Sequence, residues 1–187
     1  GNYNPKTARM YEDLGVLSAD DALGEDLNKL FNQLSGFAPQ YSYNRLLVAP
    51  RSIRPGLLEK IDREIQNKQS GKHAFIRLKL NSLLDEEFVE ALYKASSAGV
   101  EVDLVIRGIC ALVPGITGIS ENIRVRSVLG RFLEHSRIFH FANGGDDEIY
   151  IGSADLMDRN LNRRVESLVK IRRDEHKKSL MKIFDQY

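Results

Sequence analysis

The chain has 187 residues, enough to bury a proper core as one domain or two small ones. Its net charge of +1 argues against the non-specific attraction to nucleic acid or membrane that a strongly basic chain would show. The single cysteine, Cys110, excludes an internal disulfide and suits a reducing compartment such as the cytoplasm. No apolar run reaches the roughly 18 residues of a spanning helix, and no signal peptide is visible. The opening Gly1-Asn2-Tyr3-Asn4-Pro5 lacks an initiator methionine and reads as the start of a fragment.

Residues 9–17 alternate apolar and polar side chains loosely, which predicts an extended segment. Ser18 and Asp20 offer caps for a helix with the stripe Leu23, Leu27, Leu30, Phe31 and Leu34, stopped by Gly36. Phe37 to Asn44 reads as a connecting loop, and Leu46 to Val48 as a short buried strand. Pro55 sits where a first helical turn tolerates it, and Leu57, Leu58, Ile61 and Ile65 continue that helix. A strand at Phe75 to Leu80 follows. Next come a helix at Asp85 to Ala98, with Phe88, Ala91, Leu92 and Ala95 inward, and a strand at Val100 to Ile106. This strand–helix alternation implies a largely parallel sheet with helices on its faces. Pro114, Gly115 and Gly118 mark a loop before a strand at Ile123 to Val128. Ser136 to Phe141 and Glu148 to Ile151 form a hairpin across Asn143-Gly144-Gly145-Asp146. Val165 to Ile171 is the last strand, and Asp174 to Phe184 a terminal helix. The expected fold is α/β, a mixed, largely parallel sheet with helices on both faces over residues 45–187. Residues 1–44 read as the tail of something preceding it, plus a linker.

The chemistry concentrates at Leu133-Glu134-His135-Ser136-Arg137-Ile138-Phe139. Alternate side chains of a strand share a face, so His135 and Arg137 are expected to address one spot. Arginine is a permanently charged fork for phosphate oxygens, and a histidine beside it can act as acid, base or nucleophile at phosphorus. His-x-Arg alone is a weak motif. The hairpin, however, returns Ile151-Gly152-Ser153-Ala154-Asp155 beside it. The combination resembles the phospholipase D superfamily, whose signature is His-x-Lys followed by a hairpin and Gly-Ser-x-Asn. Here Arg137 replaces the lysine and Asp155 the asparagine, which suggests phosphate handling without the usual phosphodiester hydrolysis. The eight basic residues from Arg107 to Arg164 are all arginines, a bias that fits bidentate phosphate binding. Three or four of them are expected to touch ligand, and the rest to pair with carboxylates. Arg107 leads, because it ends a strand of the parallel section, where ligands of open α/β sheets bind. Lys79 and Asn81 are weaker candidates on the same ground, while His73, His140 and His176 read as structural or solvated. Arg9-Met10-Tyr11-Glu12 echoes Arg163-Arg164-Val165-Glu166, with Asn2 and Asp155 preceding each. The superfamily pairs two copies of its domain across one active site, so residues 1–44 read as the tail of a first phospholipase D-like copy plus linker. Residues 45–187 then form the carboxyl-terminal phospholipase D-like catalytic domain.

Longer segments resemble one family of that fold. Gly1 to Tyr11, Val105-Ile106-Arg107-Gly108-Ile109-Cys110, Ser120-Glu121-Asn122-Ile123-Arg124, Arg131 to Arg137 and Asn143-Gly144-Gly145 are similar to the polyphosphate kinases. So are Tyr150 to Met157 and Arg159-Asn160, in consistent order over nearly the whole chain. The resemblance implies reversible transfer of the ATP γ-phosphate to inorganic polyphosphate through a phosphohistidine. That histidine is expected upstream of Gly1, so the isolated chain is expected to be inactive. Tyr11 matches a family tyrosine at the adenine, Arg107 and Arg164 match arginines at the phosphates, and His135 matches the second essential histidine. Arg137 joins this phosphate-binding set beside it. The resemblance also implies ATP as substrate, Mg2+ without ligands identified in this chain, a homo-oligomeric full-length enzyme, and a peripheral membrane association. The alternatives are a phospholipase D-type phosphodiesterase and a non-catalytic module that binds polyphosphate or nucleotide.

Overall fold

The computed structural model describes residues 3–36 and 42–187. Strands β3 (Phe75–Leu80) and β4 (Glu101–Ile106) run parallel, joined by helix α3 (Glu86–Ser97), and β5 (Ile123–Arg126) continues the parallel section. Strands β7 (Ile138–Phe141), β8 (Glu148–Gly152), β9 (Ser167–Ile171) and β2 (Leu46–Val48) complete a mixed seven-stranded sheet of order β2-β9-β8-β7-β3-β4-β5. Within this sheet, parallel pairing is confined to β3–β4–β5, where the strand–helix alternation lies. The hairpin strands supply the antiparallel remainder.

Helices cover both faces, as expected. Helix α2 (Ile53–Gln69) and α3 place Leu57, Ile61, Phe88 and Leu92 against Ile76, Leu78, Leu80, Phe139 and Phe141. Each such side chain taken wholly from water contributes roughly 2 kcal/mol. Helix α4 (Asp174–Phe184) lays Leu180 and Phe184 on Val105, Ile138, Ile149 and Ile151 across the sheet. Helix α1 (Asp21–Leu34) meets the β2 edge through Leu30, while Leu27, Phe31 and Leu34 of its predicted stripe stay exposed. Buried Asp26 fixes the entry to β2: its Oδ2 accepts the backbone N–H groups of Asn44 (2.8 Å), Arg45 (2.5 Å) and Leu46 (3.2 Å). The helix starts follow from their caps. Asp20 accepts the Leu23 N–H at 2.9 Å, and Asp85 accepts the Phe88 N–H at 3.3 Å.

The structure departs from the sequence expectations in several places. Of residues 9–17 only Tyr11–Glu12 forms a strand, β1, and it pairs in parallel with β6 (Leu133–Glu134) in a separate two-stranded sheet. The continuous strand expected through His135 is therefore split. The chain leaves one sheet at Glu134 and enters the other at Ile138, and residues 135–137 are the link. Strand β9 begins at Ser167 rather than Val165, after a wide helical turn, Arg159–Arg163, that no periodicity announces. Strand β5 ends at Arg126. The hairpin turn is built as its residues demand, with Asn143, Gly144 and Gly145 all at positive φ (48°, 69° and 109°). Most of the expected loop Phe37 to Asn44, and Asn2 of the internal echo, lie outside the described residues. None of the described helices is long and apolar enough to cross a membrane.

Candidate active site

The β1–β6 register pairs Tyr11 with Leu133 and Glu12 with Glu134. The His135 N–H donates to Glu12 O at 2.9 Å, which extends that register one step and sets Asp13 beside His135. Asp13 Oδ2 lies 3.0 Å from His135 Nδ1. An ionised carboxylate can only accept, so in this contact Nδ1 carries a proton and donates it. Burial is the largest influence on Asp13 and pushes its carboxyl up, but hydrogen bonds from His135 and the Leu14 N–H outweigh it and hold the group below its ordinary range. Tyr11, two residues before Asp13 along extended chain, meets the imidazole edge-on with ring centroids 4.8 Å apart. Arg137 Nη1 lies 3.2 Å from both ring nitrogens, above the ring, and donates to His135 O at 2.8 Å. Asp13, His135 and Arg137 line a cleft of about 240 Å³ with Ser153 and Ser167 at its rim.

The ends of the parallel strands hold this link in place. Asn81 follows β3, and its N–H donates to Asp155 Oδ1 at 2.8 Å. Asp155 is 4% exposed and takes Arg137 by two arms, Nε at 3.3 Å and Nη2 at 3.0 Å. With its amide oxygen turned to the guanidinium, Asn81 accepts from Arg137 Nε at 3.1 Å and donates to Glu134 O at 3.0 Å. Arg107 follows β4 and donates from Nη1 to Glu134 O at 2.9 Å. Its other guanidinium N–H groups have no partner among the described residues. Buried Lys79 binds Glu134 Oε2 at 2.8 Å and Ser136 Oγ at 2.7 Å, and the Tyr187 hydroxyl donates to the same Glu134 oxygen at 2.9 Å. Burial, and then the bond to Glu134, raise the Tyr187 phenol well above its ordinary range. Both residues flanking His135 are thus pinned, Glu134 by Lys79 and Tyr187 at its carboxylate and by Arg107 and Asn81 at its carbonyl, and Ser136 by Lys79. Gly152 is required for a different reason: a Cβ there would collide with Ser167 O and sit 2.8 Å from Leu168 Cδ2. Its absence lets β9 approach closely enough for the Ser153 N–H to donate to Ser167 O at 3.1 Å.

Of the residues singled out from sequence, Tyr11, His135 and Arg137 come together, and Arg107 touches the same link one residue away. Arg164 stands exposed at the end of the wide turn and makes no contact with them. Arg137 commits its fork to Asp155 and its third arm to His135, so it orients the histidine more than it presents a free phosphate clamp. Lys79 is likewise engaged. Arg124 and Arg126 both grip Asp103, and Arg163 pairs with Asp158. That leaves Arg107, Arg131, Arg159 and Arg164 without a carboxylate partner among the described residues. His140 is buried under α4 beside Asp147, and burial lowers its pKa to about 4. Two functional groups were missed in sequence. Asp13 had a signal, lying two positions from Tyr11 on an extended segment. The pairing of Glu134 with Lys79 and Tyr187 had none, because it joins residues far apart in the chain.

The hairpin, the split His-x-Arg link and the Gly-Ser-x-Asp return define a phospholipase D-like domain. The fold matches Nuc from Salmonella typhimurium, a phospholipase D family member, with a TM-score of 0.53 at 18% identity, over 76% of this chain and 91% of that one. It matches NucT from Helicobacter pylori with a TM-score of 0.52 at 15% identity, over 75% and 92%. Much nearer is the crystal structure of polyphosphate kinase from Porphyromonas gingivalis: TM-score 0.94 and 40% identity over 99% of this chain and 28% of that one. The family profile for polyphosphate kinase C-terminal domain 2 matches residues 46–187, and that for C-terminal domain 1 matches residues 1–40. The polyphosphate kinase of Streptomyces coelicolor is 57% identical over 99% of the chain, and that of Prochlorococcus marinus is 53% identical over 100%. The chain belongs to the polyphosphate kinase family. It spans about a quarter of the length of these relatives.

Proposed function

We propose that this chain is the carboxyl-terminal part of a polyphosphate kinase, in which residues 1–44 end one phospholipase D-like unit and residues 45–187 form the next. The reaction is reversible transfer of the ATP γ-phosphate to inorganic polyphosphate through a phosphohistidine carried upstream of Gly1. The observation that carries the reading is His135 held between the Asp13 carboxylate and the Arg137 guanidinium, 3.0 and 3.2 Å away, at the end of the parallel strands. Phosphoryl transfer depends on positioning and on neutralising charge at the equatorial oxygens. In this reading His135 faces the reacting phosphates through Nε2, where it holds or relays a proton. Arg107, with N–H groups to spare, and Arg164 neutralise nucleotide phosphates, and Tyr11 offers an aromatic face to the adenine. Arg137, its fork held by Asp155, fixes His135 through Nη1 and adds its positive charge beside the phosphates.

Magnesium goes with the family resemblance, but the donor set here does not fit an ion of its own. Asp155 is tied to Arg137, Glu134 to Lys79 and Asp13 to His135, and no cluster of three ligating side chains occurs among the described residues. Homo-oligomeric assembly, a cytoplasmic site of action and peripheral membrane association belong to the same family reading.

The test is the whole enzyme carrying His135→Ala, assayed for ATP formation from ADP and polyphosphate. A loss of about 10²-fold or more is expected for a proton-handling histidine at the phosphates. Unchanged turnover would overturn the reading. Hydrolysis of bis-nitrophenyl phosphate that disappears in the same variant would favour the phosphodiesterase alternative.

A further inference from the structure

Strand β3 alternates between two faces. Ile76, Leu78 and Leu80 join the core under α2 and α3, so Lys79 points to the face covered by α4. Its strand partners on that face, Val105 and Ile138, are apolar and pack beneath α4. A cation thus stands where the pattern calls for another apolar residue, and it is 2% exposed. Its polar contacts go to the residues on either side of His135: Glu134 Oε2 at 2.8 Å, Ser136 Oγ at 2.7 Å and Ser136 O at 3.4 Å. Tyr187, just past the end of α4, closes the cluster. Its hydroxyl donates to Glu134 Oε2 at 2.9 Å, and the Lys79 ammonium lies 5.7 Å from the centre of its ring. The same side chain packs on the apolar cluster beneath α4. Glu134 and Ser136 are therefore held from the α4 side, while His135 and Arg137 line the cleft.

We propose that Lys79, Glu134 and Tyr187 are positioning residues for the transfer: a clamp that holds the link from behind and gives the His135 imidazole one place at the reacting phosphates. The inference rests on the polyphosphate kinase reading above. Residues 135–137 lie between the two sheets, so neither ladder of strand hydrogen bonds fixes their course. Asp13 aligns the ring, and the clamp fixes the backbone that carries it. A buried ion pair is a poor source of stability, because apolar side chains of similar size serve a fold as well or better. What this pair adds is geometry. One ammonium spends its donors on the residue before the histidine and the residue after it. Misplacing a reacting group by about 1 Å costs on the order of 10²-fold in rate, so a clamp of this kind acts on turnover rather than on affinity.

The test uses the whole enzyme in the ATP-forming direction, with kcat, KM for ADP and Tm measured for each variant. Lys79→Met/Glu134→Leu removes both charges and keeps the volume. Its Tm is expected to stay near the wild type while kcat falls roughly 10²-fold and KM for ADP changes by less than about threefold. Glu134→Gln keeps an acceptor for Lys79 and Tyr187 but strands a buried cation, so the pattern reverses: Tm falls and kcat stays within about threefold. Tyr187→Phe keeps the packed ring and loses only the hydroxyl bond, and kcat is expected to fall about threefold. This last variant decides the matter should the double variant not fold. A kcat that follows Tm through the series, or that stays at the wild-type level in the double variant or in Tyr187→Phe, overturns the clamp and leaves the kinase reading intact. Undiminished turnover in His135→Ala overturns the reading on which the clamp rests.

Discussion

Restoring the superfamily signature whole should cost less than the sum of its two single substitutions. Asp155 is 4% exposed, and the Arg137 side chain 10%. The carboxylate takes two arms of the guanidinium and the Asn81 N–H. Asp155→Asn keeps the shape and an acceptor for Asn81, but leaves a buried guanidinium without its counter-charge. Breaking one side of such a pair costs about 3 kcal/mol. At this chain length that lowers Tm by roughly 9 °C. Arg137→Lys replaces a planar fork with a point charge and loses the bond to His135 O, for about 2 kcal/mol. In the double variant Arg137→Lys/Asp155→Asn a lysine faces an amide, as in the His-x-Lys and Gly-Ser-x-Asn pattern. The two changes should then couple by about 2 kcal/mol, so that the double variant is no worse than Asp155→Asn alone. Urea unfolding of the wild type, both single variants and the double variant at neutral pH measures the cycle. Additive costs, or an Asp155→Asn penalty under about 1 kcal/mol, would refute the idea that the two residues form one unit.

Asp13→Asn should lower kcat of the whole enzyme by about 10²-fold with little change in KM for ATP, because it removes the carboxylate that orients His135 rather than a ligand contact. Steady-state kinetics decide this, and a change under about threefold would contradict it. Gly152→Ala should destabilise by about 3 kcal/mol in urea unfolding, since the new Cβ meets Ser167 O and Leu168. His140 gives a pH prediction. Burial, partly opposed by Asp147, lowers its pKa to about 4 from 6.5, so the folded protein keeps it neutral where the unfolded chain takes up a proton. Its contribution to stability is complete above pH 6.5 and falls by about 1.4 kcal/mol per pH unit towards pH 4. His140→Gln should flatten that part of the stability–pH curve, and an unchanged slope would refute the assignment. Glu148 acts lower on the scale. Burial raises its pKa, but Lys170, Arg63 and Lys60 overcome this and hold it at about 2, so its stabilisation is lost between pH 4.5 and 2.

Much of the fold was legible because its signals are local. Asp20 caps the helix it was expected to cap, Phe88 and Leu92 face the core as expected, and Asn143-Gly144-Gly145 turns the hairpin. The split at His135 was not legible. Leu133 to Phe139 alternates like one strand, and only the partner sheets, one built on Tyr11 and one on β3, break it in two. At the site, the meeting of His135 with Arg137 followed from their spacing, since a two-residue offset keeps them together even in an irregular link. The capture of Arg137 by Asp155 was visible only as an odd pair of substitutions in a signature. The hold of Lys79 and Tyr187 on Glu134 depends on residues 55 and 53 positions away, which pattern reading does not reach.

The central claim is that His135 assists a transfer whose covalent acceptor lies elsewhere in the enzyme. The most direct measurement is to label the whole enzyme with γ-labelled ATP, digest it at alkaline pH and map the acid-labile phosphate. The expected result is phosphohistidine on a peptide upstream of Gly1, with His135 unlabelled. Phosphate on His135 would contradict the claim.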